Sequence, residues 1–310
     1  EISDVLQSLA KQKRLRTLAA PDPKSILESA NQLETTLSGD SAANAGDEAS
    51  GEILVVPHLE KWYLRHEDGL NLVRQLVDQL ITRRNRVLIG CDSWAWAFLQ
   101  HAVGIEDILG SPLTLAPLDA ARLDAWFRRT LPIGQLEFRR TSNEEPVFPE
   151  LPEAANGSKT EKSKLPNGRS DILTSLAVIA HGNPGVARAN WNACLRTHNP
   201  NRDESSTRDR KSESVLWVVS PDKLTPPQFP VDSDRMHRFV LHAVLLHGGL
   251  SLASLLTILP FSRDEIYRRV RELCRAHILD EQDDVLRVNL VAYPIVRRDL
   301  QSEGFLTDAF

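Results

Sequence analysis

The apolar pattern of the chain is most organised between Ile53 and Leu99. Ile53-Leu54-Val55-Val56 is a continuous apolar run of the kind found in strands covered on both faces. From Asp68 to Arg84, Leu70, Val73, Leu76, Val77, Leu80 and Ile81 recur at helical spacing, with Asn71, Arg74, Gln75 and Asp78 opposite, which predicts an amphipathic helix. Val87-Leu88-Ile89-Gly90 is a second apolar run. Asp92 or Ser93 after it is placed to cap a helix carrying Trp94, Trp96, Phe98 and Leu99. The expectation is two buried parallel strands joined by a helix.

The flanks divide by pattern. Residues 1–52 read as a helical segment and a flexible loop attached to this core: a helix with Ile2, Val5, Leu6 and Leu9 on one face, a basic cluster at Lys11, Lys13, Arg14 and Arg16, a short helix over Ser25 to Leu37, and a polar loop from Ser38 to Gly51. The α/β core is placed at 53–138. It includes a short extended piece from Leu113 to Leu118 and a helix opened by Asp119 that carries Leu123, Trp126 and Phe127. Residues 139–171, rich in Pro, Ser, Asn, Lys and Glu, read as a disordered insertion or linker. Residues 172–234 are predicted helical on both sides of His181-Gly182-Asn183-Pro184-Gly185, with a polar insertion at 197–214 and a strand from Val215 to Val219. Residues 235–310 read as a helix from Met236 to Leu246, a short one from Ser251 to Ile258, a third from Arg263 to Ala276, and a hairpin built from Ile278 to Asp280 and Val285 to Val291. That is the order of a winged helix.

Composition narrows the classes. The chain has 310 residues, 41% hydrophobic and 25% charged, enough for two or three small domains without stapling. A net charge of -5 argues against a polyanion as the main partner. Cys91, Cys194 and Cys274 are far apart with no CxxC spacing, so reduced thiols in a cytoplasmic protein are expected, not a zinc site or a disulfide framework. His242 and His247 are five apart, which misses the spacing that would bring two imidazoles together on a helix, and no metal site is expected. No apolar run approaches the ~20 residues that span a bilayer. The chain opens on Glu1, as a segment of a longer protein would.

The strand ends carry the candidate chemistry. Leu54-Val55-Val56-Pro57-His58-Leu59-Glu60 resembles the Walker B strand of AAA+ and STAND P-loop ATPases, which implies Glu60 as a catalytic carboxylate. Pro57 stands where the magnesium-side Asp usually lies. The strand ending in Cys91-Asp92-Ser93 is similar to sensor 1, implying Asp92 first and Ser93 second as cofactor-binding residues. Leu115 to Phe127 resembles the strand and helix that close the ATPase core. His181 to Ala187 resembles the Gly-x-Pro lid motif, implying that Pro184 packs on an adenine nucleotide. The resemblance covers most of residues 53 to 310. It implies a partial parallel-sheet P-loop NTPase core with a helical lid, followed by an α+β winged-helix domain.

No G-x-x-x-x-G-K-[ST] occurs in the chain, so ATP and Mg2+ are implied only with such a loop upstream of Glu1. The expected function is a degenerate or truncated ATPase module, acting as a regulatory switch or a docking scaffold for a protein partner or another part of the parent protein. One alternative is a winged-helix regulator binding DNA through Arg263, Arg268, Arg269 and Arg271, although Glu281, Asp283 and Asp284 would make its wing acidic. Another is an active ATPase. Each residue also has a plainer reading: Glu60 as a solvated charge, Asp92 as a helix cap, Pro184 as a helix break, and the tryptophans as core anchors.

Overall fold

The computed structural model describes residues 15–28, 53–82, 86–149, 170–201 and 214–308. The helix expected at Ile2 to Leu9, the loop from Ser38 to Gly51 and most of both polar insertions lie outside them. Within this range the chain is mixed α/β and forms two compact units. Unit 1 draws on Glu1–Leu113, Gln228–Asn289 and Ile295–Ala309; unit 2 draws on Thr114–Pro227 and Leu290–Pro294. This division differs from the sequence-based one, because the expected core at 53–138 is shared between the units and its first part lies in one unit with 235–289.

In chain order, unit 1 begins with strand β1 (Leu15–Thr17), helix α1 (Pro23–Glu28), strand β2 (Ile53–Val56), helix α2 (Asn71–Thr82), strand β3 (Arg86–Ile89) and helices α3 (Ser93–Val103) and α4 (Ile105–Leu109). The three strands form a parallel sheet in the order β1-β2-β3, with Ile53 opposite Arg86 and Val56 opposite Ile89. β2 lies between two partners, so Leu54, Val55 and Val56 are buried. β3 departs from the expectation of a strand covered on both faces: it has no second neighbour among the described residues, and Leu88 is exposed. α2 buries Leu72, Val73, Leu76, Val77 and Leu80 as its periodicity requires, but Ile81, expected on that face, is exposed near the helix end.

Unit 2 contains helix α5 (Ala120–Thr130), strand β4 (Glu137–Arg140), helices α6 (Ser170–Ile179) and α7 (Pro184–Cys194), and strands β5 (Leu195–Arg196) and β6 (Val215–Val218). β4 and β6 run parallel, and β5 is antiparallel to β6. Phe127, Phe138, Phe148 and Trp191 are buried here with ring centroids 5.1 to 6.4 Å apart, beside Val147 and Val218. The residues from Arg139 to Pro149, expected as disordered linker, therefore begin in a strand and place Val147 and Phe148 in a core. No strand forms over Leu113 to Leu118; Leu113 and Leu115 are exposed, and the segment joins unit 2 at Leu118, whose amide donates to the Gly182 carbonyl. Gly182 (φ 74°) has no room for a side chain, since a Cβ would lie 2.3 Å from that of Pro117.

The chain then returns to unit 1 as helix α8 (Arg235–Leu246), strand β7 (Leu250–Ser251), helices α9 (Leu252–Ile258) and α10 (Arg263–Arg275), strands β8 (Leu279–Gln282) and β9 (Val285–Val288), and helix α11 (Tyr293–Ser302), which starts at the unit boundary. β9 lies between β7 and β8, antiparallel to both. Asp283 and Asp284, both at positive φ, close the β8-β9 hairpin in two residues, the geometry that matches strand twist. The first three helices and the hairpin follow the expected order, while β7 and α11 lie outside that expectation. Among the described residues no helix is long and apolar enough to cross a membrane, and no cysteine pair is bonded.

Candidate functional site

The site begins where β2 and β3 end. Gly90 donates to Val56 O and Leu59 to Gly90 O, which extends the parallel ladder and brings the turn after β2 against Cys91-Asp92-Ser93. A short 3-10 turn, Leu59–Lys61, then points Glu60 inward, with 6% of the residue exposed. Its carboxylate is engaged on both oxygens: His58 Nδ1 pairs with Oε1 at 2.7 Å, and the Asp92 amide donates to Oε2 at 3.2 Å. The solvated-charge reading of Glu60 fails on this burial.

Asp92 caps α3, accepting from the Trp94 amide at 2.9 Å. Burial raises its carboxyl to about 6, partly offset by the Trp94 hydrogen bond and reinforced by the charges of Glu60 and Asp308. Ser93 Oγ donates to Asp308 Oδ2 at 3.3 Å. Asp308 also accepts from Arg297 Nε at 2.7 Å, and its carbonyl takes Arg297 Nη2 at 3.2 Å. Both members of that pair are buried, Arg297 to 9% and Asp308 to 6% exposure.

The same strand end is tied to α8. Tyr63 Oη donates to Leu246 O at 2.9 Å and its ring stacks on Phe98. The turn that brings Tyr63 there needs Gly69, because a Cβ at that position would lie 2.3 Å from Leu64 O. His247 Nδ1 faces the Glu60 carbonyl at 3.3 Å, while its Nε2 receives the Arg65 amide at 3.4 Å. His242 Nε2 faces Leu306 O at 2.9 Å, and its Nδ1 faces Arg65 Nη1 at 3.1 Å. Each imidazole thus donates through one nitrogen and accepts through the other, an arrangement that only the neutral ring satisfies. Burial holds both histidines down at about 4, and the Arg65 charge acts in the same direction. Spacing along one helix discounted these two residues as a pair; the turn at Arg65 unites them.

Burial, with Glu60 and Asp92 nearby, holds the Cys91 thiol and the Tyr63 phenol well above their ordinary ranges, so neither is an anionic nucleophile at neutral pH. Pro57 contributes no carboxylate, and among the described residues no group of three acidic, cysteine or histidine side chains is placed to hold a metal. At the end of β2 the described residues therefore offer no carboxylate in the magnesium-side position. Pro184 lies in unit 2 as the first residue of α7, where the Asn183 side chain accepts the Val186 amide. Proline suits that position because the missing N–H is one the helix would leave unpaired.

The arginines of α10 divide in two. Arg269 is bound, its Nε and Nη2 on Asp234 at 3.1 and 2.6 Å and its Nη1 on Glu272 at 3.4 Å. Glu272 also pairs with His237 of α8 at 2.9 Å. Arg263, Arg268 and Arg271 are exposed. Arg268 and Arg271 line a shallow groove with Asp264, Tyr267, Glu272 and Arg275. The hairpin tip beyond them carries exposed Glu281, Asp283 and Asp284.

Sequence reasoning singled out Glu60, Asp92 and Ser93 and not the side chains around them, His58, His247, Arg297 and Asp308. The 215 positions between Ser93 and Asp308 leave no periodic trace in the sequence. No family model, curated protein or solved structure matches this chain.

Proposed function

We propose that the chain is a regulatory module descended from an AAA+ or STAND ATPase, with a partial P-loop NTPase core, a lid and a winged helix, that works as a switch or docking scaffold and does not hydrolyse nucleotide by itself. The observation that carries this reading is the state of Glu60. A hydrolytic base needs a carboxylate oxygen directed at water, and here both oxygens are held by His58 and the Asp92 amide. The same turn is bonded to the helix that opens the winged-helix-like segment, through His247 and Tyr63. A change at the strand end would therefore be felt at α8, as a switch requires. A phosphate-binding loop upstream in the parent protein would add ATP with Mg2+ as the input, with Glu60, Asp92 and Ser93 nearest to it.

Titration of the chain with fluorescent ATP and Mg2+ tests this. No saturable binding and no phosphate release are expected. Mg2+-dependent turnover abolished by Glu60→Gln would sink the reading in favour of an active ATPase.

A second reading, DNA binding through α10, is favoured by the exposed row of Arg263, Arg268, Arg271 and Arg275. Asp264 and Glu272 in the same groove and the acidic hairpin tip oppose it. Salt-dependent retention on duplex DNA, lost in Arg268→Ala/Arg271→Ala, would establish that reading over the first.

A further inference from the structure

Unit 2 contains a buried cation that no described residue answers. Arg140 closes β4 with 7% of the residue exposed, yet its side chain makes no hydrogen bond, ion pair or ring contact among the described residues, and its Nε is sealed from solvent. A guanidinium nitrogen in that position loses its hydration and ordinarily recovers a partner from a carboxylate or phosphate. Glu145 in the adjoining turn does not supply it, being exposed and taking the Asn143 amide. Burial is imposed by the pleat. Arg140 is two residues from the core residue Phe138 and opposite Val218, so alternation directs it to the covered face of the sheet.

The position is one where ligands are commonly held. β4 and β6 are parallel, and Arg140 and Val218 are their last residues, so the guanidinium stands at the carboxyl end of a parallel pair. Two more buried polar residues, Thr141 and Asn199, belong to this end: Asn201 donates to the Thr141 carbonyl at 2.8 Å and takes the Asn199 side-chain oxygen on its amide at 3.0 Å.

We infer that unit 2 binds an oxyanion, a phosphoryl or carboxylate group, at the carboxyl end of β4, with the Arg140 guanidinium as its anchor. A forked donor at a buried site meets two oxygens of one group at once, a match that lysine cannot reproduce. The site is separate from Glu60 and Asp92 and does not rest on the reading proposed for them.

Thermal unfolding and calorimetry of the whole chain, at constant ionic strength set with sodium chloride, provide the test. Inorganic phosphate and acetate are the two probes, and they separate a phosphoryl from a carboxylate preference. At least one should raise the melting temperature saturably. Arg140→Met should abolish that rise, and Arg140→Lys should weaken binding at least tenfold. The Arg140 Nε–H resonance, identified by its loss in Arg140→Lys, should move with the same ligand, which keeps the test informative if the methionine variant folds poorly. An equal response in Arg140→Met, or no response of the wild-type chain to either probe, overturns the inference.

Discussion

Arg297 in unit 1 and Arg140 in unit 2 are buried to nearly the same degree, yet their surroundings are opposite. Arg297 meets the Asp308 carboxylate and carbonyl, and Asp308 in turn meets Ser93, so charge and hydrogen-bonding capacity are matched. Arg140 meets no acceptor from the described chain. In unit 1 the polar interior joins segments remote in sequence: Glu60 to Asp92, Arg65 to His242, and Ser93 to Asp308. In unit 2 aromatic packing of Phe127, Phe138, Phe148 and Trp191 does that work. A buried polar group thus specifies architecture where its partner is internal, and marks a place for something external where it is not.

The contrast can be broken experimentally. Arg297→Met leaves Asp308 buried without its cation and should cost about 3–5 kcal/mol by urea unfolding. A loss below about 1 kcal/mol would show that the pair is not a structural tie.

Acid should act next most strongly. His242 and His247 hold folded-state values of about 4 against 6.5 when unfolded, so the unfolded chain takes up protons first and stability falls as pH drops from about 6.5 to 4. Each shift corresponds to about 3 kcal/mol. Asp92, raised to about 6, has the opposite sign: its contribution is fully present below its unfolded value of 3.8 and is lost as pH rises through 6, which offsets roughly one histidine. A net fall of about 3 kcal/mol is expected, and His242→Gln/His247→Gln, which leaves the Asp92 contribution alone, should turn it into a rise of about 3 kcal/mol as pH drops; an unchanged acid arm in that double variant would refute the neutral-ring arrangement.

Glu60→Gln keeps an acceptor for the Asp92 amide but loses the charge facing His58, and should cost about 1–2 kcal/mol. Smallest of all, Arg140→Met should leave stability within about 1 kcal/mol of wild type or raise it in anion-free buffer, because removing an unanswered buried charge removes its desolvation penalty. A loss like that of Arg297→Met would erase the distinction between the two arginines.

What was legible in the sequence followed from local periodicity. α2, the two helices around Asn183 and the helices of the run from α8 to β9 carry their burial in repeating apolar positions, and Asp92 marks as a cap where α3 starts. β1 was hidden because its three residues include Arg16 and follow a basic cluster. β4 was hidden for a related reason: in Glu-Phe-Arg-Arg only Phe138 is apolar, so an inward arginine reads as linker. The candidate carboxylates could be picked out as strand-end residues, but their engagement could not, since it depends on His58 folding back and on residues some 180 to 220 positions further along the chain.

The interrupted course of unit 1 sets an order of events on the ribosome. Ser93 and Asp308 are 215 residues apart in synthesis, an interval of about 10–40 s at ordinary elongation rates. Unit 2, drawn almost wholly from Thr114–Pro227, is nearly complete before the second part of unit 1 has emerged. Through that interval β2 and β3 exist as nascent chain without α8 or Asp308, with a strand edge at Arg86–Ile89 that no described strand pairs available to neighbouring polypeptides. The protein made first is thus among the last to be finished, and its yield in a cell depends on how well that half is shielded while the rest is translated.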